Sequence, residues 1–214
     1  PYPPGCTDEG NPGDPGNPGD PTNPPTQDPE LSTPPDEVNP PVSDPDLSQT
    51  YGMKKIGAVD AWPTYRGSKE IVVAVIDTGI DYNHKDLAFN VWRNPNPGPK
   101  NDLVGYDFIH DDGMPYDDHS HGTHCSGVIG AVGGNGIGVS GVNQRVSIMG
   151  LKFLSAQGQG DTAGAVKAID YAVTHGAKVL SNSWGGPADE GNPALEQAIE
   201  RARDQGVLFI AAAG

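Results

Sequence analysis

Cysteine is nearly absent from this chain: two in 214 residues, Cys6 and Cys125. A bridge between them would have to fix a proline-rich tail that has no core of its own, so no disulfide framework is expected. Cys6 reads as an incidental thiol, because Pro3-Pro4-Gly5 ahead of it match a lipoprotein cleavage site poorly. Lysine and arginine are missing from residues 1–50, which carry ten acidic side chains within a chain of formal net charge −15. So acidic a chain, with no basic cluster elsewhere, is not built to hold nucleic acid or an anionic lipid surface. Long apolar runs are lacking as well. No stretch has the length of a membrane span or the form of a signal-peptide core.

What is present divides into two parts. Fifteen of the 22 prolines lie in the first 45 residues, among glycines and acids, with few apolar side chains. Such a segment loses backbone donors and cannot bury enough surface to fold, so residues 1–45 are expected to form a disordered acidic Pro/Gly-rich linker. Residues 46–214 are expected to fold. The run Ile71–Ile76, ending on Asp77, predicts a buried parallel strand. His121–Val132 predicts a short helix stopped by Gly133-Gly134, and Val146–Leu154 a second strand. Asp161 or Thr162 caps a helix that Gly176 ends, and Lys178–Trp184 forms a third strand. Asn192-Pro193 opens another helix, closed at Gly206, before a fourth strand over Val207–Ala213. The alternation implies an α/β fold: three layers, with a parallel sheet flanked by helices. The fourth strand is apolar on both faces and therefore expected to be central, so the domain is expected to be truncated after it.

The residues suited to chemistry gather in two segments. Asp77-Thr78-Gly79 sits at the C-terminal end of the first strand, where open α/β sheets place ligands. His119-Ser120-His121-Gly122-Thr123-His124-Cys125 opens the first long helix. Alone, the aspartate fits an ordinary turn cap. Together the segments fit the first two members of an Asp-His-Ser constellation, with Asp77 accepting from the Nδ1–H of His121 and His121 acting as base. His124 is expected in the interior, His119 exposed in the acidic loop, and Cys125 as a small residue on the helix's buried side.

The pattern Asp77-Thr-Gly-Ile-Asp-x-x-His84-x-Asp86-Leu87, with His121-Gly-Thr-His124, Ser181-Asn-Ser-Trp-Gly-Gly-Pro187 and Ala211-Ala-Ala-Gly214, resembles the subtilisin-like serine proteases, or subtilases. The resemblance spans residues 51–214. It implies a secreted or cell-envelope serine endopeptidase acting on extended polypeptides, with Asp77 and His121 catalytic. It implies a cleft lined on one side by Gly158, Gln159 and Gly160 and on the other by Ser183, Trp184 and Gly185, between which a peptide adds as a strand. It also implies structural calcium, held by Asp86, the Asn135 side chain and the carbonyls of Val132, Ile137 and Val139, with Asp44, Asp46 or Gln49 as a further ligand. The nucleophilic serine and the oxyanion asparagine are expected beyond Gly214, so residues 1–214 alone are expected to be inactive. Many subtilases carry an inhibitory propeptide; the coreless linker is no substitute for one. Two other readings stand beside this one. The first is a catalytically inactive, peptide-binding subtilase homologue. The second is a zinc hydrolase, since His119-x-His121-x-x-His124 resembles the H-x-H-x-D-H of metallo-β-lactamase-fold enzymes, with Thr123 in the aspartate's place.

Overall fold

A computed structural model describes residues 44–186 and 191–213. Most of the expected linker, Cys6, Pro187 and Gly214 lie outside the described residues. Five parallel strands form one sheet: β1 (Gly67–Asp77), β2 (Gly105–Asp107), β3 (Arg145–Lys152), β4 (Val179–Asn182) and β5 (Leu208–Ala211). Their order is β2-β3-β1-β4-β5, so the strand that delivers Asp77 is central. The helices are α1 (Tyr51–Lys55), α2 (Ala58–Ala61), α3 (His121–Gly130), α4 (Thr162–Thr174) and α5 (Pro193–Asp204). None of the described helices is long and apolar enough to cross a membrane.

Alternation along β1 explains the layers. Ala74 and Ile76 face one side, where Met149, Leu151 and Leu180 meet the small residues Ala165, Ala168 and Ala172 of α4 and Ala198 and Ala202 of α5. Val73 and Val75 face the other side, with Val146, Ile148 and Leu87, against Cys125 and Ile129 of α3. Because side chains alternate with a period of two, Asp77 continues the second set and points to the α3 layer. Both faces of the sheet are thus covered at its centre, around β1, as a parallel sheet requires.

The helix caps follow the sequence closely. Asp161 Oδ1 accepts from Gly164 N at 2.7 Å and Asn192 Oδ1 from Leu195 N at 3.2 Å, each satisfying an orphan donor of the first turn. Gly176, at φ +84°, supplies the left-handed turn that ends α4. Four elements differ from expectation. β1 begins at Gly67 rather than Ile71, with a register shift before Val72. α3 ends at Gly130, because Ala131 turns extended and the N–H of Val132 donates to the Asp86 carbonyl at 2.8 Å. β2 has no apolar run to announce it; Gly105 (φ +143°) lies so close to Gly150 that a Cβ there would sit 1.7 Å from its carbonyl oxygen. β5 lies at a sheet edge, with Leu208 and Ile210 exposed on the face opposite the one that Phe209 packs against α5 and its neighbours.

Candidate active site

Asp77 is fully buried, and its Oδ1 lies 2.8 Å from His121 Nδ1. The Thr78 N–H donates to the same oxygen at 2.7 Å. An ionised carboxylate only accepts, so Nδ1 is the donor of this bond, and in a neutral ring so bonded Nε2 keeps its lone pair. The His121 side chain is 43 % exposed, which leaves the ring open to an incoming group.

His121 is the first residue of α3, and its position is fixed from below. Gly122 is indispensable there: a Cβ would lie 2.1 Å from the Gly79 carbonyl oxygen and 3.2 Å from Asp77 Cβ. The residue before the helix, Ser120, has φ +83°, a strained conformation for a non-glycine residue. Asp117 holds this turn in place. Its Oδ1 accepts from His119 N, Ser120 N and Thr78 Oγ1, and its Oδ2 from Thr123 N and Thr123 Oγ1. Thr78 Oγ1 in turn accepts from Gly122 N at 2.9 Å. The two ends of the site, Asp77 and His121, are therefore tied through Thr78 and Asp117 as well as directly.

Sequence reasoning passed over Asp117, seeing only an acidic loop, because the residue lies ahead of the N-cap, Ser120, outside the positions where capping chemistry is read. It also passed over Lys152, a fully buried residue whose Nζ donates to Thr78 O at 2.7 Å, Asp118 Oδ1 at 2.6 Å and Leu154 O at 2.9 Å. Nothing in an apolar strand announces such a role for its last residue.

The other histidines differ in part from expectation. His119 is exposed, as its loop suggested. His124 is exposed too, contrary to its expected interior place, and lines a cavity of about 820 Å³ with Asp81, His84 and Tyr116. The buried stripe of α3 is Gly122, Ser126 and Gly130, which turns His124 and Val128 outward. His119, His121 and His124 do not converge: among the described residues the one group of three His, Cys, Asp or Glu side chains with ligand atoms within 4.8 Å of one another is Asp77, His121 and Cys125. The zinc-hydrolase reading loses its ligand set. Cys125 is half-buried with its Sγ 3.8 Å from His121 Nε2, and burial raises its thiol pKa, opposed by a hydrogen bond with Ser183.

The two expected cleft segments flank β1. Residues 153–160 follow β3 and residues 183–186 follow β4, and these strands are the two neighbours of β1. Phe153 and Leu154 donate their N–H groups to the Asp77 carbonyl, which anchors the first segment beside the site. A turn then closes through Gly158 N to Ser155 O at 2.8 Å and Ser155 N to Gln159 O at 2.9 Å. Gly158, Gln159 and Gly160 are exposed, and a Cβ on Gly160 would lie 2.4 Å from the Phe153 carbonyl oxygen. In the second segment Ser183 and Gly185 are exposed, while Trp184 packs edge-on against Phe153 with ring centroids 4.8 Å apart.

A second cluster surrounds Asp86, 3 % exposed. Its Oδ1 accepts from Asn135 Nδ2 at 2.9 Å and its Oδ2 from Val139 N at 3.0 Å. Of the three N-terminal candidates, Asp44 faces this loop: it accepts from Gly134 N and Asn135 N, and it is 5 % exposed. Gln49 instead donates to Asp46. Burial raises the pKa of both Asp44 and Asp86, and for Asp86 the Asp44 charge adds to the rise. Ile137 is exposed on the same loop, its N–H donating to Asn135 Oδ1 at 2.8 Å.

Comparison with known proteins agrees with this geometry. The profile of the subtilase family (peptidase S8) matches residues 68–214. Thermitase from Thermoactinomyces vulgaris is 38 % identical over 167 residues, covering 78 % of this chain and 55 % of the relative. The thermophilic serine proteinase of Bacillus sp. (strain AK1) is 35 % identical over 164 residues, covering 77 % of this chain and 38 % of the relative. The major intracellular serine protease of Bacillus subtilis (strain 168) is 37 % identical over 169 residues, 76 % and 48 % of the two chains. The chain spans about half or less of the length of these curated relatives. On the family profile and these relatives together, the chain belongs to the subtilase family.

Proposed function

We propose that the protein is a serine endopeptidase in which Asp77 and His121 activate a serine supplied by residues beyond 214. The observation that carries this reading is the 2.8 Å contact between buried Asp77 and Nδ1 of half-exposed His121, at the C-terminal end of a central strand. His121 Nε2 takes the serine proton as the hydroxyl attacks the peptide carbonyl, and Asp77 stabilises the imidazolium that results. The imidazolium then returns the proton to the leaving amine. An extended polypeptide lies between residues 158–160 and 183–185, pairing with their backbone as an added strand. The serine and an oxyanion-binding asparagine come from the downstream part of the protein, so residues 1–214 alone do not turn over peptides; loss of an oxyanion donor costs about 10²–10³ in turnover by itself. The protein acts outside the cytoplasm, in the medium or cell envelope.

The donor set around Asp86 fits a hard cation. Asp44 and Asp86 are two buried carboxylates within one loop cluster, and their ionisation is disfavoured by burial and, for Asp86, by the neighbouring charge. A divalent cation would offset that cost. Asp86, Asp44 and the carbonyls of Val132, Ile137 and Val139 would hold calcium, joined by the amide oxygen of Asn135 once that amide turns over, since its Nδ2 now faces Asp86; the ion would lock the segment at residue 44 onto the loop after α3. The full-length protein should cleave casein and lose that activity to a serine-directed phosphonate. Asp77→Asn should retain the fold and lose about 10⁴ in turnover, as in serine-protease triads generally. Undiminished cleavage by that variant would defeat the reading.

A further inference from the structure

Lys152 ends β3 as the register partner of Asp77, and its side chain is 1 % exposed. An ammonium has three N–H donors. All three are used here, and each reaches a different limb of the site: Thr78 O at 2.7 Å, Asp118 Oδ1 at 2.6 Å and Leu154 O at 2.9 Å. Thr78 follows Asp77 at the end of β1. Asp118 belongs to the turn that Asp117 holds ahead of His121. Leu154 opens the segment that leads to residues 158–160, and its own N–H donates to the Asp77 carbonyl at 3.2 Å.

Stability alone gives little reason for this cation. Lysine is seldom fully buried, and an apolar residue in place of a buried ion is often as stable or more so. The ammonium does what an apolar side chain could not: it fixes three backbone segments to one point. Of these, the segment after Leu154 is the least supported, since residues 156–160 are all exposed. Exposed loops lie at the low-stability end of a fold. A peptide that pairs with this segment as an added strand orders it, and so also orders what the segment is tied to.

We propose that Lys152 is a positioning residue that links substrate pairing along residues 158–160 to the alignment of Asp77 and His121. The inference rests on the protease reading. A paired peptide holds the Leu154 carbonyl on the ammonium, and the ammonium holds the Asp77 turn and the turn before His121 in register. Binding energy from substrate residues remote from the scissile bond then appears in kcat and not in KM alone. A displacement of about 1 Å at the reacting groups costs about 10²-fold in rate, so slight slack in this link is kinetically visible.

The test uses the full-length protein and two peptide anilides with the same scissile bond, a short one and one extended far enough to pair with residues 158–160. Extension should raise kcat in the wild type, and Lys152→Met should shrink that gain by about tenfold, the scale of ordinary coupling between sites. Asp118→Ala cuts one limb at a side chain that is 43 % exposed, so it should fold even where Lys152→Met does not, and it too should shrink the gain. Equal loss of kcat on both substrates would mean plain structural support and overturn the proposal. Hydrogen exchange gives a readout that needs no turnover. An extended peptide with its scissile amide reduced to an amine should slow exchange at residues 155–160 and 117–123 in the wild type, but only at 155–160 in Asp118→Ala. Protection that reaches 117–123 equally in both proteins, or no protection at 155–160 in the wild type, would overturn the link. The expected exchange pattern in a protein that hydrolyses neither anilide would keep the link and overturn the protease reading instead.

Discussion

Thr78 Oγ1 donates to Asp117 Oδ1 at 2.8 Å while accepting the N–H of Gly122, so one hydroxyl joins the end of β1 to the start of α3. Asp77 and His121 are the chain neighbours of Thr78 and Gly122. Their 2.8 Å contact is thereby held by a second set of bonds that never touches the imidazole. Pre-organisation of this kind keeps the ring aligned without spending binding energy on it.

Asp117 makes this arrangement sensitive to pH. Burial alone would raise its carboxyl, but hydrogen bonds from Thr123, His119 and Thr78 outweigh burial and hold it below the ordinary carboxylate value. A depressed folded-state pKa stabilises the fold above the ordinary value of about 3.9, and that contribution is lost as pH falls through the folded value. Asp117→Asn should therefore cost roughly 2 kcal/mol at pH 7, the scale of hydrogen bonds to a charged group. The difference from wild type should shrink below about pH 4. Urea unfolding of the full-length protein at both pH values checks this; a difference independent of pH would assign the effect to shape rather than charge.

Calcium should raise the melting temperature of the full-length protein. A ligand that binds only the folded state adds about 2.7 kcal/mol at a hundredfold excess over its Kd. Asp86→Asn and Asp44→Asn should each remove most of the rise, because each takes a buried carboxylate from the cluster. Melting that is identical with calcium and with chelator would remove the calcium proposal.

Gly105 offers a test of the fold alone. With φ +143° and a virtual Cβ 1.7 Å from the Gly150 carbonyl oxygen, Gly105→Ala must push β2 away from β3. The expected loss is about 3 kcal/mol or more, from backbone strain and overpacking together. Thermal unfolding gives the value, and a shift of only a degree or two would mean that β2 is not paired as described.

These positions also mark how far the sequence could be read. The second half of β1, the caps of α4 and α5, and the approach of Asp77 to His121 were legible, because periodicity and capping chemistry act over a few residues. α1 and α2 are five and four residues long, too short to show a period, and are held by tertiary contacts such as Trp62 Nε1 to the Val142 carbonyl. β2 is defined by what glycine permits rather than by apolar content. The outward turn of His124 depends on which face of α3 meets the sheet, and a helix whose buried stripe is Gly122, Ser126 and Gly130 gives a faint hydrophobic signal. The choice of Asp44 over Asp46 and Gln49 at the Asp86 cluster is a long-range contact, 90 residues distant from Gly134.

The central claim is that His121, oriented by Asp77, activates a serine. The most direct measurement is mass-spectrometric mapping of a fluorophosphonate adduct on the full-length protein. One serine beyond residue 214 should be labelled stoichiometrically, and His121→Ala should abolish labelling while leaving the melting curve in place. No adduct on the folded protein, or labelling unchanged in His121→Ala, would contradict the account.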